Sequence, residues 1–401
     1  MWVYTSFDAI RIHSWRSVCG NHGQCSVGDS DRAHHIRPAR HRQRREGHRL
    51  GLRLRWHSSA HHRRRCHWQL CATPPDAEKL DFRGIQAFDA NTAIVMSTGK
   101  GVLSRLYKTT DACQTWHLLF TNPDAEGSWA AIQFRFHDGP SPNYRYFNGG
   151  VFVGDPVDGK FPIFTTNDYG STWQPLKQDD RYRTIPPAVA KTGESLFDMS
   201  NSAITATADD DTFAFVTGGT GGSRLIIPHW HGWTWCSDCF GGSFTFSEIQ
   251  LPISSNETSG AFSIASRRTS SDYNRVDLMI VGGDYKRPEV GSAVFVRHSD
   301  SAFKGLFSHR VITAATPPHG FRSAVAYDAA TKSWITVGPN GTDISTDDGR
   351  NWRALRPNPA LHEPADADRD WNALSLPFAV GPHGRIGKLR PEALSPAPAA
   401  R

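Results

Sequence analysis

The side chains best suited to chemistry in this sequence stand in short turns rich in glycine. "GDPVDGK" carries Asp155 and Asp158, "GGDYKRPE" carries Asp284, Tyr285 and Lys286, and "GPNG" carries Asn340. Arg83 and Arg322 open two apolar segments of like pattern, "FRGIQAF" and "FRSAVAY". Hydrolysis of a glycoside needs two carboxyl groups about 5–10 Å apart across a pocket. Asp155 and Asp284 are the pair on offer, although aspartates in turns serve backbone geometry equally well. Tyr285 beside Asp284 makes no nucleophile pair, because neighbours on an extended chain point opposite ways. No catalytic residue is assigned on these grounds.

"HWHGWTWCSDC" offers His229, His231, Cys236 and Cys239, residue types that suit zinc, but the spacing matches no common finger. No metal is expected there, with ordinary turn residues or a Cys236–Cys239 disulfide as the other readings. No G-x-G-x-x-G lies between a strand and a helix, and "GGTGGS", with Thr220, falls between two strands. No cofactor is expected.

The elements that must position these turns repeat every forty to sixty residues. Second strands end in glycine six times: "IVMSTGKG", "VFVGDP", "FAFVTGGTGG", "LMIVGGDY", "WITVGPNG" and "FAVGPHG". First strands precede them, as in "SWAAIQF", "NSAITAT" and "GAFSIAS". Period-2 apolar content without helical periodicity predicts an all-β fold, a β-propeller of six visible blades. A disrupted seventh is expected at the N-terminus.

Between third and fourth strands stands a recurring box. It reads "TTDACQTW" (Asp111, Trp116), "TTNDYGSTW" (Asp168, Gly170, Trp173) and "STDDGRNW" (Asp347, Gly349, Trp352). Its hydroxyl and carboxylate side chains can bond turn N–H groups, its glycine takes positive φ, and its Trp can pack between sheets. A catalytic site is built once, whereas this frame recurs, so the boxes read as structural joints. Pro228–Trp235 reads as a degenerate joint of the same kind.

These boxes resemble the Asp-box, or bacterial neuraminidase repeat, of sialidase-like propellers. Over residues 68–390 the pattern is more similar to the photosystem II stability and assembly factor family. The resemblance implies a seven-bladed ring with a binding or assembly role, commonly preceded by an export signal. The chain departs from it in lacking a readable first blade. Sialidases resemble one another in an arginine triad and a Tyr-Glu pair. Here only Arg83 and Arg322 hold comparable positions, and neither stands in an F/Y-R-I-P motif.

Antiparallel geometry then assigns the two faces of the ring. Boxes and first-to-second strand turns share one; the glycine loops and blade-to-blade connections share the other. That second face collects Arg83, Asp155, Asp158, Asp284, Tyr285, Lys286, Arg322 and Asn340 as the candidate ligand-binding set. The expected function is non-catalytic: a monomeric binding or assembly propeller taking a protein or other macromolecule there. A sialidase-like glycoside hydrolase is the alternative.

The net charge of +6 conceals an asymmetry. Residues 1–70 hold 14 Arg, no Lys and four acids, a balance of +10, so the other 331 residues sum to −4. The Arg/His-rich end, "DRAHHIRPARHRQRREGHRLGLRLRWHSSAHHRRRCHW", has neither period and reads as out-of-frame translation or a disordered extension. A nucleic-acid arm is disfavoured, because such arms usually mix Lys with Arg. No apolar h-region follows the start, no run of about 18 apolar residues predicts a membrane span, and the compartment stays open. The seven cysteines suggest no even disulfide ladder. The propeller is expected over residues 71–389, and the Pro/Ala-rich tail 390–401 is expected to be disordered.

Overall fold

The computed structural model describes residues 2–5, 52–55, 67–134, 149–176, 185–207, 213–232, 242–268, 275–301 and 306–394. They form six antiparallel sheets arranged as the blades of a β-propeller, and one further two-stranded pair. The first blade comprises Asp81–Ala87, Ala93–Thr98, Arg105–Thr109 and His117–Thr121, from channel to rim. The second repeats this order with Trp129–Phe134, Gly150–Gly154, Ile163–Thr166 and Gln174–Pro175. The third has Ile204–Ala206, Phe213–Val216, Arg224–Gly232 and Gly242–Gln250. The fourth is longest, with Ser259–Arg268, Arg275–Asp284, Arg287–Ser301 and Leu306–Thr313. The fifth has Ala324–Asp328, Ser333–Gly338, Gly341–Ser345 and Arg353–Leu355. The sixth has Ala373–Ser375, Phe378–Val380 and Ile386–Leu389, and Trp2–Thr5 pairs on its outer edge.

The alternation read from the sequence explains the packing. Each blade is apolar on both faces, so it buries one side against each neighbour. Phe82, Ile85, Val95 and Tyr107 of the first blade share a core with Ala373, Val380 and Ile386 of the sixth. The sixth blade thus packs directly on the first, and the six close the ring. The resemblance implied seven blades; the ring described has six. The expected seventh unit and the basic N-terminal segment lie almost wholly outside the described residues. Only Trp2–Thr5 and the pair Leu52–Arg55 with His67–Leu70 are described there.

Each box closes in the same way. The hydroxyl of Thr109, Thr166 or Ser345 donates to the Oδ1 of Asp111, Asp168 or Asp347 at 2.7–2.8 Å. It also accepts the N–H four residues on, from Cys113, Gly170 or Gly349, at 3.0 Å. The carboxylate takes the N–H and side chain of Thr115, Thr172 or Asn351. In the first box these bonds, the Thr115 hydroxyl foremost, bring the Asp111 carboxyl down to about 2. Trp116, Trp173 and Trp352 are buried, and the indoles of the last two donate to the carbonyls of Gly170 and Gly349.

Three details differ from, or add to, the sequence reading. Cys113, which replaces glycine in the first box at φ 63°, is disulfide-bonded to Cys71. Beside it the Trp116 indole donates to the Ala72 carbonyl, so residues 71–72 are bound to the box by bonds that box sequence alone does not encode. Pro228–Gly232 is no joint but the end of a long strand, with Pro228 opposite Phe246 and His229 opposite Thr245. The turn it leads to, with Cys236 and Cys239, lies outside the described residues. Pro391–Leu394 forms a 3-10 turn, with Leu394 buried between the fifth and sixth blades; the rest of the tail lies outside them.

Candidate functional site

Three blades meet around Asp155 on the glycine-loop face. Asp155 follows the second strand of the second blade. Its N–H is fixed by the Ser128 carbonyl at 2.8 Å, and its Oδ1 accepts the Leu196 N–H at 2.8 Å. Leu196 belongs to the connection entering the third blade, which also supplies Asp198. Arg83, on the inner strand of the first blade, donates to Asp81 at 2.6 Å and to Asp198 at 3.1 Å. The Thr98 hydroxyl donates to the other Asp198 oxygen at 2.9 Å. Burial, and then the charge of Asp198, push the Asp155 carboxyl up to about 6, against the Leu196 N–H, which lowers it. Two carboxylates in unlike surroundings therefore stand beside a guanidinium. Asp198 was not among the residues singled out from the sequence. The available signal was its Phe197–Asp198 step, which matches Phe82–Arg83 and Phe321–Arg322 at the start of other units.

The remaining candidates do different work. Asp284 sits on the fourth blade, apart from Asp155, and is closed on its own turn. It accepts from Thr258 at 2.7 Å, Arg287 at 2.9 Å and the Lys286 N–H at 3.0 Å. Burial alone would raise its carboxyl, but these bonds outweigh it and hold the group well below the usual range. The carboxylate that bears on Asp155 is Asp198, which the sequence reading had not named, and Asp284 has its own partners. Arg322 has no exposed side-chain surface; it pairs with Asp343, and its Nη1 donates to the Asn340 Oδ1 at 2.7 Å. Asn340 in turn donates to the Pro288 carbonyl at 2.6 Å, latching the fourth blade's loop to the fifth blade. Tyr285 and Lys286 stay exposed beside this latch, and Asp158 stands exposed at a turn tip with φ 49°.

The glycines of this face permit close backbone approach. Gly218 pairs with Gly260, and a Cβ added to Gly218 would lie 2.8 Å from the Gly260 Cα and 2.4 Å from the Phe197 ring. Phe197 stacks on Phe262 at 4.0 Å above them. Eight large apolar side chains are exposed among the described residues, and six stand on this face: Val102, Leu103, Val189, Tyr285, Val290 and Leu361. Leu118, on an outer strand, and Tyr169, at a box tip, are the other two.

No cluster of metal-ligating side chains occurs among the described residues. His229 is buried and stacks on His298 of the fourth blade at 5.1 Å. No helix of the described residues is long and apolar enough to cross a membrane.

Structural neighbours include YCF48 and glycosidases. YCF48 from Cyanidioschyzon merolae is 14% identical, with TM-score 0.42, over 80% of this chain and 85% of that one. YCF48 bound to D1 peptide gives 14% and 0.41, over 80% and 83%. An alpha-L-arabinanase of Penicillium chrysogenum, complexed with arabinobiose, gives 11% and 0.34, over 73% and 88%. No family model matches the chain, and no curated protein does.

Proposed function

We propose that this chain is a non-catalytic, monomeric propeller that binds a protein partner on its glycine-loop face. The observation that carries this reading is that six of the eight exposed large apolar side chains among the described residues stand on loops of that face. Exposed apolar groups scattered singly need no explanation, but four of these stand two to a loop, Val102 with Leu103 on the first blade and Tyr285 near Val290 on the fourth, which supports an interaction surface. Tyr285 adds an aromatic anchor of the kind that dominates such interfaces, with Lys286 and Arg287 as a polar rim. Asp284 and Asn340 serve the surface indirectly, by fixing the loop that presents Tyr285 and Val290.

The test is site-specific photo-crosslinking in cells from positions 285 and 290, with position 169 on the opposite face as control. The expected result is one protein crosslinked from the first two positions and absent from the third. Its purified form should lose about tenfold or more in affinity for a Val290→Asp variant. Crosslinks from position 169 alone, or unchanged affinity, would overturn the reading.

A glycoside hydrolase is the second reading, favoured by the raised carboxyl of Asp155 next to Asp198. It requires turnover of an aryl glycoside that is lost in both Asp155→Ala and Asp198→Ala. An inert panel removes it.

A further inference from the structure

The central channel is not open from end to end. The segment entering the third blade crosses it near the glycine-loop face and bonds to three other blades. The Asn201 Oδ1 accepts the Ile132 N–H at 2.8 Å while its Nδ2 donates to the Ile132 carbonyl at 3.0 Å. Ser200 donates to the Ser323 carbonyl of the fifth blade at 2.5 Å. Ser202 donates to Ser263 of the fourth at 2.8 Å. Behind this bar lies a cavity of about 570 Å3, bounded by inner strands of all six blades, with Asn201 and Ser202 at its floor. Its walls follow those strands toward the box face, where Ala329 and Ser375 mark the rim.

The lining has a definite chemistry. Gln86 and Gln133 occupy equivalent places on the first and second blades. Each donates its Nε2 to the carbonyl of the next residue, Ala87 at 2.9 Å and Phe134 at 2.7 Å. Their amides are thereby pinned, with the carbonyl oxygen left as the group to meet a ligand. Across the cavity Ser266 donates to the Ala206 carbonyl at 2.7 Å, which orients its lone pairs, and Thr205 lies within 3.4 Å of it. Among the described residues one charged side chain belongs to the lining, Arg267. It is held at 2.5 Å by both Asp277 and Asp348 and lies 5.3 Å from the centre of the Tyr327 ring. Its charge is answered within the wall, and Tyr327 adds an aromatic surface beside Ile132, Ile204 and Ile264.

We infer that this channel cavity is a binding site for a small neutral polyol, such as a free sugar of one or two rings. Pinned amide oxygens and oriented hydroxyls match hydroxyl groups, and the aromatic and aliphatic walls match the C–H faces between them. The volume lies within the range of about 300–1,000 Å3 usual for small-molecule sites. An anion would need an uncommitted cation, and Arg267 is committed. The site lies on the opposite side of the bar from the surface proposed for a protein partner, so the two stand or fall separately.

The experiment is saturation-transfer NMR and calorimetry on the full chain with glucose, galactose, arabinose and maltose, and with glucose 6-phosphate as the charged comparison. At least one neutral sugar should bind and the phosphate should not. Gln133→Leu should weaken binding about tenfold, the loss of one good hydrogen bond. Ala326→Leu, which fills the cavity without removing a polar group, should abolish it, and Tyr285→Arg should leave it unchanged. Circular dichroism identifies a misfolded variant, in which case the other cavity variant decides. Absence of binding by all four sugars overturns the inference, as does binding that survives Ala326→Leu or is lost in Tyr285→Arg.

Discussion

Replacing Asp155 by asparagine tests the electrostatics of the glycine-loop face directly. In the folded chain the carboxyl is raised to about 6, from 3.8 in an unperturbed aspartate. Its ionised form is therefore the disfavoured one. Below pH 3.8 the group is protonated in both states and contributes no penalty. As pH rises toward 6 the unfolded chain ionises first, so stability falls; above that the penalty is constant. The shift corresponds to about 3 kcal/mol, and allowing for water around a half-buried carboxylate leaves about 1–3 kcal/mol. Asp155→Asn keeps an oxygen to accept the Leu196 N–H but cannot ionise. Urea unfolding should find the variant about 1–3 kcal/mol more stable than the parent at about pH 7.5, and equal or slightly less stable at about pH 4. A difference that does not change with pH, or a variant weaker at both, would refute the reasoning. Asp284 and the box aspartates have lowered carboxyls and lose their stabilisation only toward stronger acid, outside this window.

Four further outcomes are expected. Gly170→Ala should destabilise by about 2–4 kcal/mol in thermal unfolding, because φ is +76° and the new Cβ would meet the Ile94 Cδ1 at 2.3 Å. Gly349→Ala should cost about 1 kcal/mol less, since its obstacle is the mobile end of Met279. Reduction of Cys71–Cys113, 42 residues apart, should lower the urea midpoint by the equivalent of about 4 kcal/mol or less, and Cys71→Ser should remove the sensitivity to reductant. Arg322→Met should cost about 3–5 kcal/mol by leaving the buried Asp343 carboxylate with His319 in place of its guanidinium partner, and Arg322→Met/Asp343→Leu should recover most of it in a double-mutant cycle.

The blades could be read from the sequence because their signals are local. Period-2 strands, glycine ends and a joint repeated three times each act within a few residues. The site was less legible because it depends on what distant segments bring together. Arg83 and Arg322 stand in like sequence positions, yet one is half-buried between Asp81 and Asp198 and the other is sealed against Asp343. Nothing near Arg322 announces a partner 21 residues on. Cys113 read as a departure from the glycine of its box; its meaning lay 42 residues earlier. Asn201 and its serine neighbours gave no motif, because their partners, backbone groups of Ile132 and Ser323 and the Ser263 hydroxyl, belong to other blades.

The bar across the channel bears on how the ring assembles. Within a blade, hairpins join residues close in the chain and can form early. Ser200 must find Ser323, 123 residues away, and Arg83 must find Asp198, 115 away. Loop-closure entropy sets these encounters against the chain until intervening sheets are stacked. The hub therefore knits last, and a nascent chain halted before the fifth blade would hold its rim while its axle was still loose.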